Sequence, residues 1–352
     1  KYFNIIVLYK TKLLGRKKMK KFVKNLLIIM ATTLLFSCAK QSNSQKSIAV
    51  FVPGIMDDSP TYAKLANGVK QAVEEYNANK DENSKCNLFI MEAGTNQAEW
   101  SDKIISLAST GKYQVIISSN PSLPDLVEPI IQQFPAQKFI LLDAEKEGNN
   151  NINTVCYNQY EQAYLTGYIA GLMTKSNKLA LIAAQEYPVM NNVLLPYFEK
   201  GAQDANSATT VDFRIVGNWY DATKGAELTD AVIKNGVDVI LPICGGAAAG
   251  VISSAKNNNA KITWFDDSGF SRAPDTIISS TTNAQDKMAY EKTLEYLEGK
   301  TPWGTHKMVG VKEGFVDFVQ DDENYIKNVP AEIREKMAAL VEEIHKGKDV
   351  RN

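Results

Sequence analysis

The sequence has 352 residues, of which 44% are hydrophobic and 22% charged, a composition typical of globular proteins and a length sufficient for two domains. Nine of the 39 Lys and Arg residues lie in residues 1–37, which contain no acid, so the rest of the chain has 30 basic against 40 acidic side chains, a net charge of −10. Such an acidic chain is a poor nucleic-acid binder, because phosphate contacts need clustered Lys and Arg.

The N-terminal segment has the pattern of a secretory signal. Residues 19–24 are basic, and residues 26–36 form an apolar run too short to span a bilayer. Leu35-Phe36-Ser37-Cys38 is similar to a bacterial lipobox, in which the cysteine carries lipid such as palmitate. We therefore predict upstream residues and a lipoprotein signal peptide over 1–37, with residues 1–18 as upstream translation or the product of a misassigned start, and a lipidated Cys38 with its tether over 38–46. An ordinary membrane anchor with a coincidental cysteine is the alternative.

From residue 47 onward, strand and helix patterns alternate. The first half predicts helices at 62–76, 100–110 and 123–133, between strands at 47–52, 86–91, 113–118, 138–143 and 152–157. The second half predicts helices at 161–175, 191–205, 224–235 and 247–256, with strands at 179–184, 212–217, 237–243 and 261–265. This alternation favours an α/β fold of two doubly wound parallel-sheet lobes with a ligand cleft between them.

The C-terminal part departs from this pattern. It predicts a helix at 283–297, a strand pair within 308–319 and an amphipathic helix at 330–346 that packs on its own lobe. We assign residues 47–158 and 283–305 to the N-terminal lobe, and residues 159–282 and 306–352 to the C-terminal lobe.

The stretch from residue 236 to residue 268 is the strongest candidate for a ligand site. It contains a buried strand, the turn Gly245-Gly246, a helix, and a second strand that leads through Trp264 to Asp266. In open α/β sheets ligands bind beyond the carboxyl ends of the strands, so these four residues are expected to face one crevice. Asp267 is expected to face solvent. The alternatives are a plain tight turn, a core tryptophan, and a helix-capping or ion-paired aspartate.

Other crevice loops supply further aromatic and polar candidates. Asp143 ends a predicted strand, and the others lie in loops that follow one: Ser59, Tyr62, Tyr187, Trp219 and Asp221. Ser59 is also a possible helix cap, with Pro60 at the first helical position. Cys86, Cys156 and Cys244 show no metal-ligand spacing and are expected to be buried, inert thiols.

Several short motifs, taken in order, resemble one family. They are the lipobox, Tyr164-Leu-Thr-Gly-Tyr-Ile-Ala-Gly171, Trp219-Tyr-Asp221, and Gly236-Val-Asp-Val-Ile240 followed by the Gly-Gly loop and Trp264-Phe-Asp266. By these motifs the chain resembles the basic-membrane-protein, or PnrA-like, family of ABC-transporter substrate-binding lipoproteins, and the resemblance covers most of residues 38–320.

The resemblance implies a type I periplasmic-binding fold with three crossovers, a membrane permease as partner, and a ribose-bearing heteroaromatic ligand. By position it implies Tyr62 as an aromatic contact, Asp143 at a polar edge, Gly245 in backbone contact, Asp266 on the hydroxyls, and Lys287 completing the site.

One loop bears on which ligand is bound. Nucleoside-binding members usually show Phe-Asn after the first-loop aspartate, whereas this loop reads Asp57-Asp-Ser-Pro-Thr-Tyr62. Together with Trp219 and Trp264 it is more similar to the riboflavin-binding branch. The resemblance therefore favours riboflavin, with a purine nucleoside as the alternative.

An enzyme, such as a nucleoside hydrolase that uses acidic residues or calcium, is the rival class. Asp57-Asp58 and Asp266-Asp267 are the acidic pairs on crevice loops. The two histidines, His306 and His345, lie late in the chain, so no catalytic triad can be assembled around the crevice. The sequence therefore predicts reversible binding, with no cofactor, no metal and no catalytic residue.

Overall fold

The structure is a computed structural model, and it describes residues 45–57 and 59–352. The predicted signal peptide, Cys38 and most of the tether lie outside the described residues, as does Asp58. None of the helices in the described ranges combines the length and apolarity needed for a bilayer span.

The first lobe is built on a wholly parallel sheet of six strands. The strands are β1 Ser47–Val52, β2 Asn87–Glu92, β3 Val115–Ser119, β4 Lys138–Leu142, β5 Ile152–Tyr157 and β11 His306–Val309. Their order is β11-β5-β4-β3-β1-β2. Strand β1 is buried along its whole length, as expected for an apolar run covered on both faces by helices.

The second lobe repeats this architecture with one antiparallel strand. Its strands are β6 Lys178–Ala183, β7 Thr210–Ile215, β8 Val239–Ile243, β9 Lys261–Trp264, β10 Ile277–Asn283 and β12 Val316–Phe318. Their order is β12-β10-β9-β8-β6-β7, and β12 runs antiparallel to β10. Two doubly wound α/β lobes are therefore present, as the sequence predicted.

Helices cover both faces of the sheets. They are α1 Pro60–Asn77, α2 Trp100–Ser109, α3 Leu123–Gln133, α4 Gln159–Met173, α5 Leu195–Ala205, α6 Ala222–Lys234, α7 Ala248–Asn257, α8 Gln285–Leu297, α9 Glu323–Asn328 and α10 Ala331–His345. A π-helical turn, Met190–Leu194, precedes α5.

Three crossovers join the lobes. The chain passes from β5 to α4 at Asn158, from β10 to α8 at Ala284, and from β11 to β12 through residues 310–315. Backbone bonds tie the crossovers together: Asn158 N–H donates to the Val309 carbonyl (2.7 Å), and Ala284 N–H donates to the Phe315 carbonyl (3.0 Å).

Glycine allows helices α4 and α5 to touch through their backbones. A Cβ on Gly167 would lie 2.0 Å from the Phe198 carbonyl oxygen, and one on Gly171 would lie 2.4 Å from the Ala202 carbonyl oxygen. Gly201 makes the reciprocal approach, since its Cβ would lie 2.1 Å from the Tyr164 carbonyl oxygen. Helices α4 and α5 therefore pack at backbone contact distance, which these glycines permit because they have no Cβ.

Two features of the C-terminal part differ from the sequence prediction. Residues 308–319 do not form a strand pair: β11 extends the first sheet in parallel to β5, whereas β12 pairs with β10 in the second sheet. Strand β11 therefore belongs with the first lobe. The lobe boundary predicted between residues 305 and 306 lies before β11, whereas the chain crosses between the lobes after it, in the third crossover. Strand β10 was not predicted, because it is rich in Ser and Thr and lacks the apolar run by which the other buried strands were recognised.

The three described cysteines are free thiols, but they differ in burial. Cys86 and Cys244 are buried, as predicted, whereas Cys156 is only partly buried. Its Sγ lies 3.4 Å from Nε2 of His306, because β5 and β11 are neighbouring strands. Burial raises the pKa of the Cys156 thiol to about 12, with a further contribution from Asp143 and Glu145.

Candidate ligand-binding cleft

The carboxyl ends of strands from both sheets bring most of the predicted site residues to one cleft. In the first lobe Tyr62 lies in the first turns of α1 after β1, and Asp143 follows β4. In the second lobe Tyr187, Trp219, the pair Gly245-Gly246 and Asp266 follow β6, β7, β8 and β9. The two sets lie near each other, since Asp143 acts electrostatically on Tyr187 and Asp266 acts on Asp143.

Asp143 and Asp266 are two partly buried carboxyls of this cleft, one from each lobe. Both have left-handed backbone conformations, with φ of 50° and 72°. Such values are uncommon for residues other than glycine, so the surrounding structure must hold them there. Asp143 Oδ1 accepts from Gln159 Nε2 (3.0 Å), and Asp266 Oδ1 accepts from Gln162 Nε2 (3.2 Å) and Asn283 Nδ2 (3.0 Å).

Burial makes both carboxyls poor acids. Burial and, to a lesser extent, the charge of Asp266 raise the pKa of Asp143 to about 8, although the hydrogen bond from the Gln159 amide lowers it. Burial likewise raises the pKa of Asp266 to about 6, opposed by the Gln162 amide and by the positive charge of Lys64 on α1. The cleft therefore brings together two carboxyls that favour a partner able to donate hydrogen bonds.

These shifts predict how stability depends on pH. An unfolded aspartate titrates near pH 3.9, so between about pH 4 and 8 the folded chain binds more protons than the unfolded chain, and its free energy of unfolding should fall as pH rises. Asp143→Asn should remove the contribution of Asp143 to this pH dependence. At pH 8 the ligand-free variant should gain about 1–2 kcal/mol in free energy of unfolding, seen as a melting temperature higher by roughly 2–6 °C, and at pH 5 the gain should be smaller. An equal gain at both pH values would contradict the assignment.

Aromatic rings line the same cleft from both lobes. The Tyr62 ring packs on Gly54, where a Cβ would lie 2.7 Å from its Cε2 atom. Its hydroxyl accepts a long bond from Asn120 Nδ2 (3.4 Å), and burial raises its pKa to about 12. The charge of Asp143 and, less strongly, Tyr220 on the second lobe add to that shift.

In the second lobe the rings of Tyr187 and Trp219 lie 6.4 Å apart at 42°. Burial raises the Tyr187 pKa well above its usual range, and both cleft carboxyls add to the shift. Trp219 lies against the glycine turn: the Trp219 carbonyl accepts from Ala247 N–H (3.1 Å). Rings on fixed supports offer flat surfaces to a planar ligand at little entropic cost.

Gly245 is required for that support. It has φ of +56°, and a Cβ there would lie 3.1 Å from the Trp219 carbonyl oxygen and 3.3 Å from Trp219 Cε3. Gly245→Ala should therefore destabilise the protein by about 1–2 kcal/mol and shift Trp219 fluorescence. The matched control is Gly246→Ala, whose Cβ would find ordinary 3.5 Å contacts, so its melting temperature should change much less. Equal effects would refute this account of the turn.

Trp264 has a local role that sequence reasoning did not foresee. It is 8% exposed, its Nε1 donates to Asp267 Oδ1 (2.5 Å), and the Arg272 guanidinium lies 5.0 Å from its ring. Asp267 also accepts from Arg272 (3.0 Å). The prediction that Asp267 faces solvent is therefore wrong, because the turn after β9 directs its carboxylate back onto this pair.

Three other candidates have structural partners. Asp221 is exposed, and its Oδ1 caps α6 by accepting from Lys224 N–H (2.8 Å). Lys287 is exposed, its Nζ donates to the carbonyls of Glu313 (3.4 Å) and Gly314 (3.2 Å) in the third crossover, and it lies over Phe315. Ser59 occupies the N-cap position of α1, but its side chain makes no capping bond. Their ligand roles stay predictions.

The amide side chains that hold the carboxyls were not predicted. Gln162 is fully buried in an otherwise largely apolar helix, which is the signal that sequence reasoning missed. Gln159 and Asn283 flank two different crossovers, and one sequence gives no sign that these come together. Among the described residues, no cluster of three or more His, Cys, Asp or Glu has a geometry suited to a metal ion.

Two α/β lobes of mostly parallel strands, joined by three crossovers, have the architecture of the type I periplasmic-binding class. The same fold occurs in an ABC transporter solute-binding protein from Aeropyrum pernix K1, with a TM-score of 0.67 and 20% identity over 86% of this chain and 90% of that chain. The expected type I fold is therefore confirmed.

The chain belongs to the Bmp family, described as ABC transporter substrate-binding protein PnrA-like, whose sequence model matches residues 45–349. It is 25% identical to basic membrane protein A2 of Borrelia garinii over 328 residues, 91% of this chain and 93% of the relative. It is 26% identical to the ABC transporter nucleoside-binding protein BmpA of Lactococcus lactis over 263 residues, 67% of this chain and 70% of the relative.

This membership decides between the classes left open by the sequence. The protein is a solute-binding component of an ABC transporter and not an enzyme. Such components work outside the cytoplasm, bind a small molecule and present it to a membrane permease. The nucleoside-processing hydrolase considered above is therefore ruled out.

Proposed function

We propose that the cleft captures a flat heteroaromatic molecule that carries a ribose or ribityl group and delivers it to the permease of an ABC importer. The observation that carries this proposal is the pair Asp143 and Asp266, one from each lobe, partly buried beside aromatic rings. Hydroxyls of a polyol would donate to these carboxyls, and a ligand without them would leave buried acceptors unpaired at about 1–3 kcal/mol each.

A purine nucleoside is the first candidate, because the Lactococcus lactis relative is named a nucleoside-binding protein. Riboflavin is the second candidate. Its support is the resemblance of the loop from Ser59 to Tyr62, together with Trp219, to the riboflavin-binding branch. The two ligands share one physical demand, since each combines a planar heterocycle with a chain or ring of hydroxyls.

Binding would close the lobes by differential affinity. A ligand that contacts both lobes binds the closed form more tightly than the open form, so it shifts the population toward the closed form. The closed form would then be recognised by the permease. In this proposal each lobe contacts the ligand through the loops after its own strands, and the three crossovers act as the hinge.

We further propose that Cys38 carries the lipid that anchors the protein to the outer face of a cell membrane. The support is the lipobox and the apolar run before it. Replacement of Cys38 by serine should release the protein from the membrane fraction, and retention of the variant there would argue for another anchor.

The ligand is tested by titration calorimetry and thermal melting with inosine, guanosine and riboflavin, and with free ribose and free hypoxanthine as controls. A true ligand at a hundredfold excess over its Kd stabilises the fold by about 2.7 kcal/mol, which is readily seen as a melting shift. Tight inosine binding without riboflavin binding would select the nucleoside, and a yellow, flavin-bearing preparation would select riboflavin. Binding of none of these would reject the proposed function.

A further inference from the structure

Helix α4 begins immediately after the first crossover, and its first turn contacts both cleft carboxyls. Gln159 Nε2 donates to Oδ1 of Asp143 in the first lobe (3.0 Å), and Gln162 Nε2 donates to Oδ1 of Asp266 in the second lobe (3.2 Å). The two glutamines are three residues apart and therefore share one face of the helix. A single rigid element thus holds one oxygen of each carboxyl.

The second oxygen of each carboxyl is left for another partner. Among the described residues, no hydrogen bond reaches Oδ2 of Asp143 or of Asp266, although Asp266 Oδ1 accepts a second bond from Asn283. Carboxylate oxygens in a buried site need donors, because an unpaired one retains its desolvation penalty. The pair therefore presents two held oxygens and two available ones.

The helix itself has little freedom to shift. Gln162 is fully buried, its backbone carbonyl accepts from Thr166 Oγ1 (2.7 Å), and Thr166 in turn contacts Thr281 Oγ1 (2.9 Å) in the second sheet. The Glu161 carboxylate accepts from Val311 N–H (2.8 Å) in the third crossover. The glutamines therefore project from a helix that is fixed at the hinge.

We propose that Gln159 and Gln162 are positioning residues that set the separation of the Asp143 and Asp266 carboxyls, so that one ligand bearing several hydroxyls donates to both. This inference rests on the proposed function. It also gives Gln159 a role in closure, because Gln159 moves with the second lobe while its partner Asp143 moves with the first.

A double-mutant cycle distinguishes whether the two glutamines position the carboxyls or only stabilise the fold. If Gln159 acts through Asp143, Gln159→Leu and Asp143→Asn should each weaken binding of inosine or riboflavin about 10- to 100-fold, and the double variant should be no weaker than Asp143→Asn alone. Gln162→Leu should behave in the same way with Asp266→Asn.

The matched control is Gln137→Leu. Gln137 is a buried glutamine of the first lobe whose Nε2 donates to the Lys138 carbonyl (3.0 Å) at the amino end of β4, far from the cleft. This variant should lower the melting temperature without changing ligand affinity. Gln159→Asn keeps the amide but shortens its reach, so it should reproduce the affinity loss of Gln159→Leu if the leucine variant folds poorly.

A ligand-free measurement separates this inference from the proposed function. The Asp143 carboxyl can be followed by carbon-13 NMR during a pH titration, and loss of the Gln159 amide should move its midpoint to higher pH, whereas Gln137→Leu should not. The titratable groups that interact electrostatically with this carboxyl are Asp266, Tyr62, Tyr157, Tyr187 and Cys156.

The outcomes are distinct. If Gln159→Leu leaves both the ligand affinity and the Asp143 titration midpoint unchanged, the inference is overturned. Ligand binding by the wild-type protein would in that case still support the proposed function. Additive losses in the double variant would also overturn it, because they would mean that Gln159 touches the ligand independently of Asp143. Absence of wild-type binding to any probe would reject the proposed function, and the midpoint shift would still decide whether Gln159 positions the carboxyl.

Discussion

Asp266→Asn is expected to weaken ligand binding at least about 100-fold, equivalent to about 3 kcal/mol. Asp266 Oδ1 accepts from both Gln162 (3.2 Å) and Asn283 (3.0 Å). An asparagine keeps the shape, but it offers a single acceptor oxygen. If that oxygen accepts the two amides, the NH₂ group faces the ligand hydroxyls and removes the acceptor that they need.

The matched control is Asp238→Asn. Asp238 is a second-lobe aspartate at the opposite end of the sheet, and it accepts bonds from Thr174 Oγ1 (2.5 Å), Lys175 N–H (2.7 Å) and Ser176 N–H (3.0 Å). This variant should lose stability but keep wild-type affinity. Calorimetric titration with inosine and riboflavin measures both variants. Full affinity in Asp266→Asn would place the ligand elsewhere, and equal losses in both variants would indicate a general effect of destabilisation.

Gly167→Val is expected to destabilise the second lobe by about 3–5 kcal/mol or to prevent folding. The Cβ position lies 2.0 Å from the Phe198 carbonyl oxygen and 2.8 Å from its carbon, both of them backbone atoms that cannot turn aside. Inserting a side chain must therefore separate α4 from α5, and overpacking of this kind typically costs about 1–3 kcal/mol before the lost helix contacts are added. Chemical denaturation measures the change in the free energy of unfolding.

Leu172→Val is the control for this substitution, since it places the same β-branched residue on the same helix at a partly buried position. It should cost about 1 kcal/mol or less. A comparable loss in the two variants would mean that β-branching, not the approach of the two backbones, accounts for the effect. Because α4 also carries Gln159 and Gln162, a folded Gly167 variant should bind ligand more weakly as well.

The strand positions in the sequence predict where the cleft lies, but they do not predict the direction of all of its side chains. Asp143, Asp266, Tyr62, Tyr187 and Trp219 come together as predicted, because parallel strands present their carboxyl ends at one edge and crevice loops follow from strand positions. Their ligand roles stay predictions until a ligand is identified.

Trp264 and Lys287 show the limit of that reasoning. Each lies where a crevice residue was expected, yet Trp264 pairs with Asp267 and Arg272, and Lys287 reaches the backbone of the third crossover. Side-chain direction depends on turn geometry, such as the left-handed conformation at Asp266, and a strand pattern of period two cannot predict it.

Local periodicity in the chain was sufficient for the α/β class and the two lobes, since these depend on neighbours in sequence. Strand β11 in the first sheet, the polar strand β10 and the amide bonds from Gln159 and Gln162 depended on contacts between distant segments. Only the folded chain brings those segments together, because hydrogen bonds across crossovers are selected by the geometry of the whole hinge and leave no periodic trace in the sequence.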